Sequence, residues 1–256
     1  MRILLCGSSG YMGREIIKLA EAGYRGATVV AGIDPVGEMC DFPLFPSAGE
    51  VEGIDADVIV DFSHHSVAGE IAELAVGLRL PIVVATTGHT EKEKAAIENA
   101  AQSVPVFYAS NMSLGVALLC ELAKKAAATF PDADIEIVER HHTRKLDAPS
   151  GTALTLAQEI CEVRPEAYIS MGRSGKAQRD KNEIGIQSVR IGNVVGDHEV
   201  QISTGRETIT LKHEAHSRSL FAEGALAAAQ FIIGKDAGLY GMKDLVGVKA
   251  ENMAIK

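Results

Sequence analysis

The sequence predicts an α/β fold: a parallel sheet covered by helices on both faces, followed by a smaller α+β domain. Over residues 2–128, short β-branched runs alternate with helical stretches, and the strand segments are continuously apolar, as in a sheet buried on both faces. Near residue 130 the strand segments change to alternating polar and apolar residues, which is typical of a half-exposed sheet. We therefore expect a second domain with a mainly antiparallel sheet.

The elements of the first half follow from this alternation. Strands are predicted at 2–6, 27–33, 58–60, 81–84 and 104–108, and helices at 11–23, 66–78, 91–101 and 114–128. The strand segments are short and apolar, and four helical stretches lie between or after them. A helix between two strands is typical of a parallel connection, so we expect these strands to share one sheet.

The second half begins with an alternating strand at 135–139 and a helix after Ser150. Residues 164–182 contain Gly, Arg, Lys and Ser with little apolar periodicity, so we expect a mobile loop there. Further strands are predicted, at hairpin-like spacing, at 184–190, 199–202 and 208–211. The helix predicted at 218–233 is rich in Ala, Leu and Phe, which suits a return to the first domain.

Composition and charge exclude several classes of function. The chain has 256 residues, 46% of them hydrophobic, and a formal net charge of −9, which disfavours nucleic acid and anionic membranes as partners. No apolar run approaches the ~20 residues that a membrane span needs, and the first residues lack a secretory pattern, so we expect a cytoplasmic protein. Four widely spaced cysteines are expected to be reduced and mostly buried: Cys6, Cys40, Cys120 and Cys161.

A glycine-rich turn follows the first predicted strand and opens the first helix: Gly7-Ser8-Ser9-Gly10-Tyr11-Met12-Gly13. Gly7 permits a tight turn, Gly10 lets the backbone approach a pyrophosphate, and Gly13 lets helix and strand pack closely. The helix N-terminus offers N–H groups to phosphates, and Asp34 ends the next strand, where a ribose-binding acid belongs. The spacing is GxxGxxG rather than GxGxxG, and glycine turns are common, but this context favours a Rossmann-like dinucleotide site over a purely structural turn.

Two more loops follow predicted parallel strands. They are Asp61-Phe62-Ser63 and Thr86-Thr87-Gly88. The carboxyl edge of an open α/β sheet is where such folds bind ligands, so both loops are candidates for cofactor contacts. The alternative, that Thr86 and Gly88 merely cap a strand and a helix, stays open on the residues alone.

A basic stretch stands out in this acidic chain: Arg140-His141-His142-Thr143-Arg144-Lys145. Shortly after it, Ser150 is a natural helix N-cap, and Gly151 and Thr152 would present N–H groups at the start of the new helix. Histidine, lysine and a helix N-terminus in one place predict an anion site with an acid beside it. Such a site suits a small carboxylate substrate.

Three alternatives compete with the anion site. The basic run is also compatible with a solvated surface. A metal site is disfavoured because adjacent histidines on a strand point to opposite faces, and because His213 and His216 do not complete an H-E-x-x-H motif. Nucleic-acid binding is disfavoured by the net charge and by the lack of interleaved aromatic residues. We therefore predict no metal ion.

At this point the sequence resembles a known family. Residues 139–153, Glu-Arg-His-His-Thr-Arg-Lys-Leu-Asp-Ala-Pro-Ser-Gly-Thr-Ala, resemble the signature E-x-H-H-x-x-K-x-D-A-P-S-G-T-A of the 4-hydroxy-tetrahydrodipicolinate (dihydrodipicolinate) reductases. Other family segments are similar across the whole chain: the glycine turn, the D-F-[ST] and T-T-G loops, the N-x-S-x-G-V turn at 111–116, and the segments at 190–198, 217–226 and 238–242.

The resemblance implies an NADH- or NADPH-dependent oxidoreductase of the diaminopimelate route to lysine, which reduces a cyclic imine dicarboxylate. It also implies a cytoplasmic homotetramer that forms through the sheets of the second domain. The implied layout is a dinucleotide-binding domain at 1–112 and 218–256, with a domain for substrate binding and oligomerisation at 113–217.

The resemblance also assigns roles to the site residues. His141 is the general acid, with Lys145 adjacent, and the substrate is expected between His142, Lys145 and the N–H groups of Gly151 and Thr152. The nicotinamide of the cofactor would reach Thr86, Thr87 and Gly88, and the turn Ser110-Asn111-Met112.

Two departures from the family pattern bear on the cofactor. Met112 stands where relatives often have an aromatic residue, so we expect that turn to pack differently against the nicotinamide. Pro35 follows Asp34 where many relatives place Arg, which weakens the case for tight NADPH binding, so we expect NADH to be preferred. Another two-domain nicotinamide dehydrogenase, or a non-catalytic dinucleotide sensor, remains the alternative function.

Overall fold

The computed structural model describes residues 1–37 and 41–252. They form two compact units: unit 1 contains residues 1–113 together with the described residues from 219 onward, and unit 2 contains Leu114–Arg218. None of the described helices combines the length and the apolar character needed to cross a bilayer.

The elements of unit 1 alternate as the sequence predicts. The first part has β1 (Arg2–Cys6), α1 (Tyr11–Glu21), β2 (Thr28–Ile33), β3 (Leu44–Phe45), β4 (Val58–Asp61), α2 (Ala68–Leu78), β5 (Ile82–Val84), α3 (Glu91–Ala100) and β6 (Pro105–Tyr108). Unit 2 then supplies α4 (Leu114–Thr129), β7 (Asp134–His141), α5 (Gly151–Val163), β8 (Tyr168–Met171), β9 (Glu183–Arg190), β10 (Gly196–Ser203) and β11 (Thr208–Ala215). The chain returns to unit 1 with α6 (Ser219–Ile232), β12 (Gly238–Tyr240) and α7 (Met242–Asn252).

The sheet of unit 1 is parallel throughout, in the order β12-β6-β5-β4-β1-β2-β3. Cys6 pairs with Asp61, and Asp61 pairs with Val84, so the carboxyl ends of β1, β4 and β5 lie side by side. This confirms the predicted α/β domain. The sheet brings the glycine turn and the two loops after β4 and β5 to one edge, as open parallel sheets do for ligand sites.

Two strands of this sheet were not predicted from the sequence. β3 and β12 are two and three residues long, too short to produce a recognisable apolar run, and each lies at an edge of the sheet. The first helix also ends earlier than predicted, at Glu21, because Gly23 takes a left-handed conformation with φ +71°.

The sheet of unit 2 is mixed, in the order β11-β10-β7-β9-β8, rather than mainly antiparallel as predicted. The β10–β11 and β10–β7 pairs are antiparallel, whereas the β7–β9 and β8–β9 pairs are parallel. The reason is the order of the elements along the chain. α5 connects β7 to the strands that follow it, and a helical connection allows a later strand to pair with β7 in parallel. In the sheet, β7 lies between β9 and β10. β9 and β10 therefore do not form the hairpin that their spacing in the sequence suggested.

The segment 164–182, predicted as a loop, contains the edge strand β8. Its sequence, Tyr-Ile-Ser-Met, is short, and its strand conformation depends on parallel pairing with β9, from Tyr168 with Glu183 to Met171 with Ile186. Pairing between distant residues thus overrides the weak local pattern.

Three of the four cysteines lie among the described residues. Cys6 and Cys120 are buried and Cys161 is half-buried, all as free thiols, and burial raises the pKa of Cys6 well above its usual value. The expectation for Cys40 falls outside the described residues. A buried thiol with a raised pKa is a poor nucleophile, so Cys6 is a packing residue.

Arg164 caps the C-terminus of α4 in unit 2. Its guanidinium donates to the carbonyl oxygens of Ala127 and Ala133, at 3.3 and 2.7 Å, and to that of Phe130. These carbonyls lie where α4 ends and the chain turns towards β7, and the end of a helix leaves carbonyl groups without intrahelical partners. One side chain therefore satisfies three acceptors at this corner.

We expect Arg164→Met to lower the free energy of unfolding by about 2–3 kcal/mol, because the carbonyls would lose a charged donor while the apolar stem is kept. Chemical denaturation measures this change. Arg206→Met, at an exposed position, is the matched control and is expected to change stability little. A similar loss in both variants would contradict the capping role.

Candidate active site

The glycine turn of unit 1 is shaped by close backbone packing. Gly7 has φ +77°, and a Cβ there would lie 2.6 Å from the carbonyl oxygen of Phe62. A Cβ on Gly13 would lie 2.2 Å from the carbonyl oxygen of Gly7, so Gly13 lets α1 approach β1 closely. Gly10 is the N-cap of α1 and has no side chain to accept hydrogen bonds from the first turn. The helix N-terminus is therefore available to an external acceptor.

Asp34 lies directly beside this turn. Its Oδ2 accepts a hydrogen bond from the Ser9 N–H at 2.9 Å, and its Oδ1 accepts one from the Val36 N–H at 3.0 Å. Each carboxylate oxygen retains acceptor capacity after one such bond, which suits a pair of ribose hydroxyls. The structure thus explains how a carboxylate is fixed at the end of β2.

A cavity of about 380 Å³ opens beside the turn in unit 1. Five of the predicted cofactor residues line it: Gly7, Gly10, Asp34, Phe62 and Ser63. Pro35, which follows Asp34, also lines the cavity, and the wall is completed by Ile33, Pro46, Ser47, Ala48, His64, Val67, Glu70 and Ile71. The wall is largely apolar with a carboxylate at one side, an arrangement that can hold the adenosine end of a dinucleotide.

Asp61 fixes the loop after β4. Its Oδ1 accepts hydrogen bonds from the N–H of Ser63 at 2.9 Å and from the Ser63 hydroxyl at 2.5 Å. Asp61 is fully buried, and this burial raises its pKa. Its role is therefore to hold Phe62 and Ser63 in place beneath the cavity rather than to contact a ligand itself.

The loop after β5 lies against the loop after β4. The hydroxyl of Thr86 is buried and donates to the carbonyl oxygen of Asp61 at 3.4 Å, whereas Thr87 and Gly88 are exposed. Gly88 has φ +87°, and a Cβ at this position would lie 3.7 Å from the His65 ring. The Glu93 carboxylate anchors His65 at 3.0 Å. The two predicted loops therefore form one surface.

The remaining predicted cofactor residues have mixed environments. Ser8 is buried with an unpartnered hydroxyl, the Ser9 hydroxyl donates to the Val36 carbonyl, and Tyr11 is 59% exposed. In the turn before α4, Ser110 is exposed, Asn111 accepts a hydrogen bond from the Ser113 N–H, and Met112 is only 2% exposed. Met112 packs so closely on α6 that a Cβ on Gly224 would lie 1.7 Å from its carbonyl oxygen. Cofactor contact by Met12 and by this turn stays a prediction.

Unit 2 places His141 at the end of β7 in a buried polar network. Its Nδ1 lies 2.5 Å from Oε2 of Glu139, a carboxylate with no solvent exposure. Arg190 on β9 donates to both oxygens of the same carboxylate, at 2.8 and 2.9 Å. Burial acts to raise the pKa of Glu139, but the hydrogen bonds from His141 and Arg190 outweigh it and hold the pKa at about 2. Glu139 is therefore ionised and can only accept hydrogen bonds.

Ser150 begins α5 and links this network to the helix. Its N–H donates to Glu139 Oε1 at 3.2 Å, and its hydroxyl accepts from the Ala153 N–H and lies 3.0 Å from Nε2 of His198. Burial, together with the neighbouring His141, lowers the pKa of His198 to about 4. His198 is thus neutral, and its Nε2 shares a hydrogen bond with the Ser150 hydroxyl. Gly151 and Thr152 form the first turn of α5 as predicted, and Gly151 faces open space.

His142 and Lys145 lie in the loop that follows β7. The Lys145 ammonium is 2.8 Å from Asp147, whose backbone carbonyl accepts a hydrogen bond from Arg190. The Nδ1 of His142 is buried without a hydrogen-bond partner, and burial and the nearby positive charge of Arg144 lower its pKa. A neutral imidazole with an unsatisfied nitrogen and a lysine suit recognition of a carboxylate.

Sequence reasoning did not assign roles to four residues of this network: Glu139, Ser150 as a partner of Glu139, Arg190 and His198. Glu139 stands two residues before His141 on an alternating strand, which places both on one face, so the spacing could have revealed this pair. Arg190 and His198 are brought in by strand pairing, which the local pattern does not encode.

Two family models match the chain: dihydrodipicolinate reductase, N-terminus, over residues 1–112, and dihydrodipicolinate reductase, C-terminus, over residues 115–246. The chain belongs to the dihydrodipicolinate reductase family. It is 44% identical over 248 residues to 4-hydroxy-tetrahydrodipicolinate reductase from Caldanaerobacter subterraneus subsp. tengcongensis, covering 96% of this chain and 98% of the relative. The relative from Clostridium novyi is 39% identical, with 97% and 99% covered.

Solved structures of reductases and dehydrogenases share the fold. The dipicolinate-bound dihydrodipicolinate reductase from Paenisporosarcina sp. TG-14 has a TM-score of 0.80 at 26% identity, covering 95% of this chain and 98% of that one. A myo-inositol dehydrogenase from Corynebacterium glutamicum ATCC 13032 has a TM-score of 0.61 at 18% identity, covering 96% and 92%, and shows likeness of fold alone.

Proposed function

We propose that the protein reduces 4-hydroxy-tetrahydrodipicolinate to tetrahydrodipicolinate with NADH or NADPH, in the diaminopimelate route to lysine in the cytoplasm. The observation that carries the proposal is the site of unit 2, where His141, Lys145 and the N-terminus of α5 belong to one hydrogen-bonded assembly. That combination suits a dicarboxylate that must accept a proton. The relatives named for this activity cover nearly the whole chain.

The residues of each unit have separate tasks in this proposal. Loss of water from the 4-hydroxy group of the substrate gives an unsaturated imine ring, and the nicotinamide cofactor, when bound, would supply a hydride to that ring. In unit 1, Gly7, Gly10 and Asp34 would hold the cofactor through backbone N–H groups and a carboxylate. In unit 2, Lys145, His142 and the first turn of α5 bind the substrate carboxylates, and His141 gives a proton to the electron-rich ring carbon that hydride addition leaves.

The test is an assay coupled to a synthase that makes the substrate from pyruvate and aspartate semialdehyde. We expect the loss of NADH absorbance to require the synthase and both of its substrates, and pyridine-2,6-dicarboxylate to inhibit competitively with the imine. NADH oxidation on simple alcohol or amine couples instead, or cofactor binding without turnover, would contradict the proposed function.

We also expect NADH to be preferred over NADPH. A 2′-phosphate near −2 charge would face Asp34, and the cavity wall contains Glu70 as a second acid but no Lys or Arg among the described residues. Arg2, which lies near the glycine turn in the sequence, is paired with Asp55 and Asp57. His64 is the basic side chain in the described wall of this cavity.

Pro35→Arg should narrow the preference for NADH, because it places a cation beside the ribose-binding acid. The measurements are kcat/KM with each cofactor and the Kd of each by fluorescence titration. Pro131→Arg adds the same charge at an exposed position in unit 2 and is expected to leave the ratio unchanged. A wild-type kcat/KM that favours NADPH at pH 7.5 would contradict this part of the proposal.

The protein is further proposed to act as a homotetramer through the sheets of unit 2. α4 and α5 contribute to a single core on one face of this sheet. Side chains of the other face, such as Glu136, Val138 and Arg140, are half-buried. A sheet with one face covered by helices and one face without them within its unit suits pairing with a second copy. Light scattering of the purified chain tests the stoichiometry.

A further inference from the structure

His141 is oriented by contacts on one edge of its ring. Its Nδ1 lies 2.5 Å from the Glu139 carboxylate, which is ionised and can only accept, so Nδ1 carries the hydrogen. Its Nε2 lies over Gly196 at the start of β10, where a Cβ would come within 2.9 Å of that nitrogen. The backbone of Gly196 is not in the left-handed region. A glycine is needed there because any larger residue would collide with the imidazole of His141.

We propose that Glu139 is a positioning residue that fixes the tautomer and orientation of His141. The inference rests on the proposed role of His141 as proton donor. Glu139 would thereby keep Nε2 as the nitrogen that faces the reacting ring and transfers the proton. A carboxylate in contact with an imidazole stabilises the protonated ring and selects the Nδ1–H tautomer when the ring is neutral.

The other groups around His141 cannot fix its tautomer in this way. Arg190 faces the pair from β9, His198 from β10 with its ring centroid 5.2 Å from that of His141, and His142 and Lys145 from the following loop. Arg190 and Lys145 can only donate hydrogen bonds, and the His198 ring stands edge-on to that of His141. Glu139 is therefore the acceptor that holds the Nδ1–H of His141.

Glu139 also connects the proton donor to the substrate-binding helix. The same Oε1 accepts hydrogen bonds from Arg190 and from the Ser150 N–H at the N-cap of α5. Arg190 in turn donates to the backbone carbonyl of Asp147, the partner of Lys145. One carboxylate therefore sets the distance between the donor nitrogen and the groups that bind the substrate. Such support of a reacting side chain by fixed partners is what precise positioning requires.

The test compares Glu139→Gln with Glu183→Gln. Gln keeps the size and an acceptor oxygen but removes the charge. Glu183 is the matched control because it is also nearly buried and paired with an arginine, Arg173, at the opposite end of β9 with no histidine. The readouts are kcat and KM with the imine, and long-range ¹H–¹⁵N NMR spectra of the His141 ring in the full chain without ligands.

In Glu139→Gln we expect kcat to fall by about 10-fold or more with little change in KM, and the spectra at alkaline pH to show hydrogen on both ring nitrogens of His141. The reason is that an amide can donate as well as accept, so it no longer selects the Nδ1–H tautomer. The Kd for NADH should change less than about twofold, and Glu183→Gln should match the wild type. A fall in turnover with hydrogen on Nδ1 alone, as in the wild type, would overturn the proposal, since a merely structural role would produce that result.

The wild type alone covers the case in which Glu139→Gln does not fold. Long-range ¹H–¹⁵N spectra of the wild type at alkaline pH should show His141 with hydrogen on Nδ1. Hydrogen on Nε2 would overturn the proposal. If the wild type does not reduce the imine, the proposed function fails, but these spectra still decide whether Glu139 fixes the tautomer of His141.

Discussion

His141→Ala is expected to lower kcat by about 10²–10⁴-fold, the usual contribution of a positioned general acid. The Kd for NADH should barely change, because His141 belongs to unit 2 and the cofactor residues belong to unit 1. Stopped-flow or steady-state rates with the imine, and fluorescence titration with NADH, measure the two quantities. Loss of the proton donor without loss of cofactor binding is the signature of a chemical role.

His216→Ala is the matched control for this substitution. His216 is an exposed histidine of the same unit, outside the network around Glu139, and its removal should leave kcat unchanged. Wild-type turnover in His141→Ala would remove His141 from the mechanism. An equal loss in both variants would point to a general effect on unit 2.

Lys145→Ala is expected to have the second largest effect, raising KM for the imine and lowering kcat/KM by about 10²-fold or more, as charge-assisted hydrogen bonds to a carboxylate would be lost. The Asp147 carboxylate holds the ammonium at 2.8 Å and leaves it further donors for the substrate. The inhibition constant of pyridine-2,6-dicarboxylate should rise in parallel, because the inhibitor presents the same anionic groups.

Lys125→Ala on the exposed side of α4 removes the same charge from unit 2 away from this loop. We expect it to leave both constants unchanged. If pyridine-2,6-dicarboxylate binds Lys145→Ala as tightly as the wild type, the lysine does not contact the substrate carboxylates.

Much of unit 1 could be predicted because its signals are local. The glycine turn and Asp34 are separated by one helix and one strand, and the parallel sheet brings them together. Gly7 and Gly13 must be glycines because a Cβ at either position would collide with the backbone. The spacing of the glycines in the sequence already indicates this requirement. By contrast, β3 and β12 depend on pairing at the sheet edges and leave almost no local pattern.

Unit 2 was harder to predict because its organisation is non-local. The alternation of β7 predicts a half-exposed strand, but not that β9 pairs with it in parallel, His141 opposite Arg190. That register brings the guanidinium of Arg190 onto Glu139. The sequence therefore indicated the histidine, the lysine and the helix N-terminus, whereas the carboxylate network that supports them emerged only from the strand pairing.

The most direct test of the account follows a labelled hydride. With NADH carrying deuterium at the reactive C4 position and substrate made in place by the synthase, mass spectrometry of the tetrahydrodipicolinate formed should show a gain of one mass unit. Its appearance should depend on His141 and Lys145 and be blocked by pyridine-2,6-dicarboxylate. Oxidation of NADH without deuterium in that product, or no oxidation at all, would contradict the proposed reduction.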